Sequence, residues 1–320
     1  MFLRLTRPLL FLFLVIFPLF SCTHEQTGTL KVGTNVWPGY EPLYLARSSG
    51  FLDLGRIKMV EFNSASEVLS AFRNHSVDVA ALTLDETISL IADRPDTRII
   101  LGTDFSAGGD VVVAQTDIKS IQQLKGKKVG VESTALGAYV LSRVLELNHL
   151  TTHDIQIVFM EVNQHTNAFI QHEVDAVVTF DPVKTQLVKH GGNIIFSSQQ
   201  IPGEIIDVLV TREDVINKKH PQLKMLVNGW FESLDLITQK RADALQKMAP
   251  RLSISVSELD SALGGLKLLD RADNQQLLSG KQATIISTAN KTQQTMISNG
   301  LVAQPVFGIE HINSQFVDKK

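Results

Sequence analysis

Acidic and aromatic side chains follow several short apolar runs of this chain, at the points where those runs end. Trp37 and Tyr40 come soon after one such run, and Phe180 ends another. Aromatic faces attract cationic or flat apolar groups, and carboxylates bind cations. Lys and Arg, which a site for a simple anion would favour, are nearly absent from these loops. The pattern predicts a ligand with a cationic or multiply hydrogen-bonding part, held near Asp85, Asp110, Glu132, Asp181, Glu204 and Asp207.

Most of these residues also suit a purely structural role, and both interpretations remain open. Thr83 suits the cap of a following helix, Asp85 suits its first turn, and Trp37 suits a hydrophobic core. Ser133 and Thr134 open a predicted helix, where hydroxyls and free backbone N–H groups would receive the anionic end of a zwitterionic or amidine-like ligand. The predicted ligand-binding residues are Asn35, Trp37, Tyr40, Thr83, Asp85, Ser133, Thr134, Phe180, Asp181 and Glu204.

Strand-like and helix-like segments alternate up to Thr211. Many of the strand-like segments are continuous apolar runs, which is typical of strands covered on both faces. The alternation predicts an α/β fold with doubly wound, parallel sheets. The predicted strands are Leu30–Thr34, Ile57–Phe62, Val77–Leu82, Arg98–Thr103, Val111–Gln115, Lys128–Val131, Ile155–Met160, Ala176–Phe180, Asn193–Phe196 and Ile206–Thr211. The helices predicted between them are Pro42–Ser49, Ala65–Asn74, Asp85–Ala92, Ala135–Leu147, Gln164–His172 and Val183–His190.

The pattern changes after Thr211, where the chain becomes helical. One further segment, Pro305–Phe307, is a weak strand candidate that also suits an irregular conformation. Earlier in the chain, Val77–Thr83 and Val174–Phe180 have nearly the same sequence, and each lies between two predicted helices. This internal similarity predicts two lobes of like construction. The C-terminal helices are predicted over Arg212–Asn217, Pro221–Thr238, Arg241–Ala249, Val256–Leu263 and Lys281–Ser298.

The first residues have the features of an export signal. Arg4 and Arg7 precede the apolar run Leu9–Phe17, which is too short to span a bilayer and ends shortly before Cys22. The Leu, Phe and Ser that stand immediately before Cys22 resemble the lipobox of bacterial lipoproteins. That resemblance implies cleavage before Cys22 and attachment of a lipid to its thiol. Cys22 is the single cysteine of the chain, so it has no intramolecular disulfide partner.

Composition excludes several classes of function. The net charge is −3 and no basic stripe occurs, so nucleic acid is not an expected partner. A hydrophobic content of 44% supports a substantial core in one large domain or two lobes. The nine histidines are scattered, and neither a metal site nor a cofactor is expected. His165 and His172 lie on one predicted helix and are expected to be exposed.

Four features, taken in their order along the chain, resemble one known family. They are Val32–Leu43, the two similar strand units, Leu124–Val131 and Thr179–Pro182. Together they look like the substrate-binding proteins of nitrate, sulfonate, taurine and thiamine-precursor ABC importers. The resemblance implies a two-lobed type II periplasmic binding protein fold whose lobes close on a ligand about a hinge. With the leader, it predicts a signal peptide over 1–21, a tether over 22–29, a first lobe over 30–110 and 208–320, and a second lobe over 111–207.

Three functions remain open on these grounds. The first is an exported, lipid-anchored, monomeric receptor in the periplasm or on the cell surface, which presents a small polar ligand to an ABC importer. The second is a receptor with the same clamp that signals to a membrane kinase or cyclase. The third is an enzyme on the same fold, which is disfavoured because the chain has neither a nucleophile-elbow motif nor a zinc-protease helix motif. No catalytic residue is therefore predicted.

Overall fold

The computed structural model describes residues 28–132, 135–280 and 282–318. The predicted signal peptide, the predicted anchor Cys22 and most of the tether lie outside the described residues, as do Ser133 and Thr134. Within the described part, no helix is long and apolar enough to cross a membrane.

Six strands form the first sheet. They are β1 (Leu30–Thr34), β2 (Ile57–Glu61), β3 (Val79–Thr83), β4 (Thr97–Ser106), β10 (Ile206–Arg212) and β11 (Leu266–Leu268). Their order across the sheet is β11-β4-β10-β3-β1-β2. Strand β1 is parallel to β2 and β3, whereas β10 runs antiparallel between β3 and β4. Every residue of β3 and β10 is buried, as expected of strands covered on both faces.

Five strands form the second sheet. They are β5 (Val111–Ala114), β6 (Lys128–Val131), β7 (Gln156–Phe159), β8 (Ala176–Thr179) and β9 (Asn193–Ser197). Their order is β7-β6-β8-β5-β9, with β6 parallel to β7 and β8 and with β5 antiparallel to β8 and β9. This order repeats the β2-β1-β3-β10-β4 part of the first sheet, strand for strand.

The two similar sequence stretches form corresponding strands. Just before β3, the Oδ2 atom of Asp78 accepts a hydrogen bond from the N–H of Lys31 at 2.8 Å. Just before β8, the Oδ2 atom of Asp175 accepts one from the N–H of Lys128, also at 2.8 Å. Each carboxylate thus links the start of its strand to the neighbouring parallel strand. Together with the repeated strand order, these matching contacts confirm the prediction of two lobes of like construction.

Twelve α-helices occur in the described part of the chain. Those in its first two thirds are α1 (Glu41–Ser48), α2 (Ala65–Arg73), α3 (Leu84–Asp93), α4 (Ala135–Leu147), α5 (Val162–Ile170) and α6 (Val183–Lys189). Those after β10 are α7 (Glu213–Lys218), α8 (His220–Gln239), α9 (Arg241–Met248), α10 (Val256–Gly264), α11 (Arg271–Leu278) and α12 (Thr284–Ser298).

Two elements were missed by the sequence interpretation, β11 and α11. Strand β11 has three residues and exists because it pairs with the end of β4, a tertiary contact that no local pattern reveals. Helix α11 is mostly polar, and its start is fixed by the side chain of Asp270, which accepts from the N–H of Asp273 at 2.8 Å. Pro305–Phe307 forms no strand.

The chain passes between the two sheets twice, over residues 107–110 and 198–205. Ser198 joins the two connections, because its Oγ lies 2.8 Å from Ser106 Oγ and accepts from the N–H of Gly108 at 2.7 Å. The N–H of Ser198 also donates to the carbonyl of Asp110 at 2.8 Å. Gly108 has a φ of +122°, which residues with a side chain rarely adopt, so this turn requires glycine.

Candidate functional site

A cavity of about 320 Å³, counting its open mouth, lies between the two lobes. Its walls come from both sheets and lie beyond the carboxyl ends of parallel strands, where α/β folds bind ligands. The described residues that line it are Asn35, Trp37, Tyr40, Ala65, Thr83, Glu86, Asp110, Glu132, Leu136, Phe180 and Asp207.

Five of the predicted ligand-binding residues reach this cavity, namely Asn35, Trp37, Tyr40, Thr83 and Phe180. They lie at the end of β1, β3 or β8 or within six residues after it, which explains why sequence reasoning found them. Asp110, Glu132 and Asp207 also line the cavity; they belong to the acids noted at strand ends but were not among the predicted ligand-binding residues.

Trp37 and Phe180 meet across the cleft. Their ring centroids are 5.3 Å apart and the rings are perpendicular, an edge-to-face pair contributed by one lobe each. The indole N–H of Trp37 points at the carboxylate of Asp104, with 3.4 Å from Nε1 to each oxygen. Only 4% of Trp37 is exposed, so its ring belongs to the core and lines the cavity at the same time.

The hydroxyl of Tyr40 donates a hydrogen bond to Asp207. Burial, followed by the charge of Asp207, raises the pKa of Tyr40 well above its ordinary value, so the phenol remains a donor. Burial also raises the pKa of Asp207, and the nearby Asp104 raises it further. The Tyr40 ring is therefore fixed by a buried carboxyl group in the same manner as the indole of Trp37.

Three lining acids, Asp110, Glu132 and Asp207, have raised pKa values because their carboxyl groups are buried. Burial raises the pKa of Asp110 to about 6, against the opposing effects of Ser106 and Lys184. Burial, then Glu86 and Glu161, raise the pKa of Glu132 to about 8. The Oδ2 atom of Asp110 is buried and has no hydrogen-bond partner among the described residues.

Two acids with buried carboxyls, Asp85 and Asp104, lie behind this wall. Burial raises the pKa of Asp104 to about 7. Burial, and then the charge of Glu86, raise the pKa of Asp85 well above its ordinary value. Asp85 does not line the cavity. Glu86, which the sequence interpretation missed, lines the cavity and accepts from the N–H of Thr83 at 3.0 Å.

The predicted site residues Asp181 and Glu204 lie outside the cavity lining. Asp181 Oδ1 accepts from the N–H and the hydroxyl of Thr185 at 3.1 and 2.6 Å, and Lys184 Nζ lies 2.7 Å from its other oxygen. Glu204 accepts from Arg143 Nε at 2.7 Å and from the hydroxyl of Tyr139 at 2.8 Å.

These two acids therefore have basic partners that come from outside the strand-end loops. Lys184 and Arg143 come from the helices α6 and α4 rather than from the strand-end loops, so no loop pattern could reveal them. Their charges neutralise Asp181 and Glu204, and the acids that remain available to a ligand are those of the cavity wall. Neither base is among the described residues that line the cavity.

The expectation for His165 was wrong. Its side chain is fully buried, with Nδ1 3.1 Å from the hydroxyl of Thr179, and burial lowers its pKa to about 4. His165 is therefore a neutral part of the second lobe just behind the cleft. His172 is exposed, as expected. No three His, Cys, Asp or Glu side chains within the described ranges are arranged to hold a metal ion.

The sequence model of the NMT1-like family matches residues 23–253. A Brucella abortus (strain 2308) protein whose name describes it as a binding protein is 22% identical over 156 residues. That match covers 48% of this chain and 49% of the relative, so the alignment spans about half the length of this curated protein.

Solved structures share the fold at low sequence identity. The alkanesulfonate-binding protein SsuA from Xanthomonas axonopodis pv. citri, bound to MOPS, has a TM-score of 0.77 at 17% identity, covering 90% of this chain and 98% of its own. The periplasmic aliphatic sulphonate binding protein SsuA from Escherichia coli has a TM-score of 0.71 at 19% identity, with 88% and 91% covered. The predicted two-lobed periplasmic binding protein fold is confirmed.

The same fold also occurs in an enzyme. The desulfurization enzyme DszB has a TM-score of 0.65 at 16% identity, covering 90% of this chain and 97% of that chain. The fold by itself therefore does not separate binding from catalysis, and the choice depends on the chemistry of the cavity wall.

Proposed function

Because the chain belongs to the NMT1-like family, we propose that it is an exported solute receptor that captures a small amine-bearing or zwitterionic ligand and presents it to an ABC importer. It acts as a monomer outside the cytoplasm. The first lobe comprises residues 30–110 and 208–320, and the second comprises 111–207. The lobes close about the connections at 107–110 and 198–205.

The observation that carries this proposal is the composition of the cavity wall. Four acids line it, and no Lys or Arg is among its described lining residues. The acids are Glu86, Asp110, Glu132 and Asp207, and they stand beside the aromatic rings of Trp37, Tyr40 and Phe180.

Such a wall favours a flat or compact cation. The carboxyl groups of Asp110 and Glu132 are buried away from water, and this burial raises their pKa values. A ligand cation would give the buried Oδ2 atom of Asp110 a partner, with about 4 kcal/mol per charge pair at 4 Å and an effective dielectric constant near 20. The aromatic faces add cation–π attraction and exclude water. An oxyanion would meet no lining base, and above the raised pKa values of these acids it would meet several carboxylates.

Calorimetry with two sets of small probes tests the proposal. We expect benzamidinium, ethylammonium or the zwitterion taurine to bind the purified protein, because each carries a cationic group that the acidic wall can pair with. We expect sulfate and nitrate to give no heat of binding at the same concentrations. Binding of an oxyanion with no binding of any amine-bearing probe would contradict the proposal.

Affinity for a cation is expected to rise with pH. A bound cation favours the ionised carboxylates and so lowers the pKa values of Asp110 and Glu132 from about 6 and about 8. Protons are then released on binding, and affinity for benzamidinium rises between about pH 5.5 and pH 8.5 and levels off above this range. The ionisable groups that face these two acids are Asp85, Glu86, Asp104, Glu161, Asp207, Tyr40 and Lys184.

Calorimetry in buffers with different heats of ionisation measures this proton release. The stability of the ligand-free protein should follow the opposite trend. A carboxyl group whose pKa is raised by folding stabilises the fold fully below about pH 4, and this contribution is lost as pH rises through the folded-state pKa. We therefore expect the unfolding midpoint without ligand to fall from about pH 5 to pH 8. In the binding experiment, an affinity for benzamidinium that falls between about pH 5.5 and pH 8.5 would show that the carboxyl groups of Asp110 and Glu132 do not contact the ligand's charge.

We also propose that Cys22 carries a lipid that anchors the receptor to the membrane, with residues 22–29 as the tether. The lipobox-like residues before Cys22 support this. Intact-mass measurement of the protein extracted from its host membrane tests it. The expected mass is that of a chain beginning at Cys22 plus an attached lipid, and a chain with an unmodified Cys22 would rule the anchor out.

A further inference from the structure

Glu132 reaches from the second lobe to the first across the cleft. It follows β6, and its Oε1 atom accepts hydrogen bonds from the N–H groups of Ala65 at 3.1 Å and Ser66 at 3.5 Å. These N–H groups open helix α2, which packs on β1 and β3 of the first lobe. Only 3% of Glu132 is exposed, so its carboxyl group sits in the interface between the lobes.

The start of a helix is a position that favours an anion. Its first N–H groups have no partner within the helix, and the helix dipole adds a partial positive charge. At the start of α2, the side chain of Ser64 accepts a hydrogen bond from the N–H of Glu67 at 3.3 Å. The N–H groups of Ala65 and Ser66, which precede Glu67, donate to Glu132 instead. The protein's own carboxylate therefore fills the place that an anionic group of a ligand would take.

The rest of the cavity indicates independently what the ligand supplies. The buried Oδ2 atom of Asp110, on the same cavity wall, has no hydrogen-bond partner among the described residues. An unpartnered buried acceptor calls for a donor or a cation from the ligand. Glu132 thus fills the anion position of a cavity in which a buried carboxyl oxygen, Asp110 Oδ2, and the hydroxyl of Thr83 have no hydrogen-bond partner among the described residues.

We propose that Glu132 sets the charge preference of this receptor by occupying the anion position at the start of α2 with its own side chain. This inference rests on the proposed solute-binding function and identifies the residue that decides which class of solute enters. A chain with a small neutral residue at position 132 would present the free N–H groups of Ala65 and Ser66 to the cavity and would accept an oxyanion there.

The test compares Glu132→Ala and Glu132→Gln with the unchanged protein and with Glu173→Ala. Glu173 is exposed and remote from the cavity lining, so its removal changes the net charge by the same amount. The anionic probes are sulfate and ethanesulfonate, and the cationic probe is benzamidinium. Affinities are measured by calorimetry, and circular dichroism with thermal unfolding establishes that each variant is folded.

We expect the affinity for sulfate or ethanesulfonate to rise at least about tenfold in Glu132→Ala, because the N–H groups are freed and, above the Glu132 pKa of about 8, one repelling charge is also lost. Glu132→Gln should gain less, since its side-chain oxygen still accepts from Ala65. Benzamidinium affinity should fall about tenfold in both variants, whereas Glu173→Ala should match the unchanged protein with every probe.

Three results would overturn the assignment. One is equal anion affinity in folded Glu132→Ala and the unchanged protein; another is an equal gain in Glu173→Ala; the third is a larger gain in Glu132→Gln than in Glu132→Ala. The two proposals fail separately. If no cationic probe binds the unchanged protein but Glu132→Ala gains anion affinity, the amine-ligand proposal fails and the role of Glu132 stands.

Discussion

Replacement of Asp110 by Asn is expected to weaken the binding of benzamidinium about 100-fold, which corresponds to about 2.7 kcal/mol. The Oδ2 atom of Asp110 lies unpartnered in the cavity wall, where a ligand cation would pair with it out of contact with water. Loss of one member of such a buried charge pair commonly costs about 2 to 5 kcal/mol. The measurement is calorimetry near pH 8, where Asp110, with a pKa of about 6, is ionised.

The same substitution should not destabilise the ligand-free protein. Burial disfavours the ionised carboxylate of Asp110 more than Ser106 and Lys184 favour it, so its neutral replacement should leave the unfolding midpoint near pH 8 unchanged or raise it. Asp117→Asn is the matched control, because Asp117 is exposed at the surface of the second lobe and its loss changes the net charge equally. If Asp110→Asn and Asp117→Asn bind benzamidinium with the same affinity, Asp110 does not contact the ligand's charge.

Trp37→Ala is expected to weaken ligand binding at least about 50-fold and to lower the free energy of unfolding by about 3 kcal/mol. From the sequence, the expected result is lost affinity with little change in folding midpoint. The structure changes this expectation, because the indole is 4% exposed, packs edge-to-face on Phe180 and donates toward Asp104. Removing it leaves a cavity beside Phe180 and takes one hydrogen-bond donor away from Asp104.

Trp37→Phe separates the two roles of this ring. It retains an aromatic edge against Phe180 but loses the N–H that points at Asp104, so it should recover most of the stability and only part of the affinity. Calorimetry with benzamidinium and thermal unfolding measure the two effects on the same samples. Full ligand affinity in a destabilised Trp37→Ala protein would show that the indole serves the core alone.

Local patterns were sufficient to predict the framework of the cleft. The apolar runs predicted the bounds of the ten longer strands to within a few residues. They could do so because a strand that is buried on both faces consists mostly of consecutive apolar residues. The carboxyl ends of those runs then located Asn35, Trp37, Tyr40, Thr83 and Phe180 at the cavity, since parallel strands bring their ends to one edge of a sheet.

Contacts between distant parts of the chain could not be predicted in this way. Arg143 neutralises Glu204 from a helix that is remote in sequence, and Asp104, near the end of β4, contacts the indole of Trp37, 67 residues before it. The burial of His165 depends on how α5 packs on β8, which helical periodicity does not specify. The docking of Glu132 on α2 requires the lobes to be brought together, so only the tertiary structure reveals it.

The most direct test of the central claim is the identity of the solute that the protein carries when it is purified from its own host. The protein is denatured, and the released small molecules are analysed by mass spectrometry in both ion polarities. We predict about one equivalent of a compound that carries an amine, an amidine or a quaternary nitrogen, with or without an anionic end. Recovery of a purely anionic solute, such as a sulfonate without a basic nitrogen, would contradict the account of the acidic cleft.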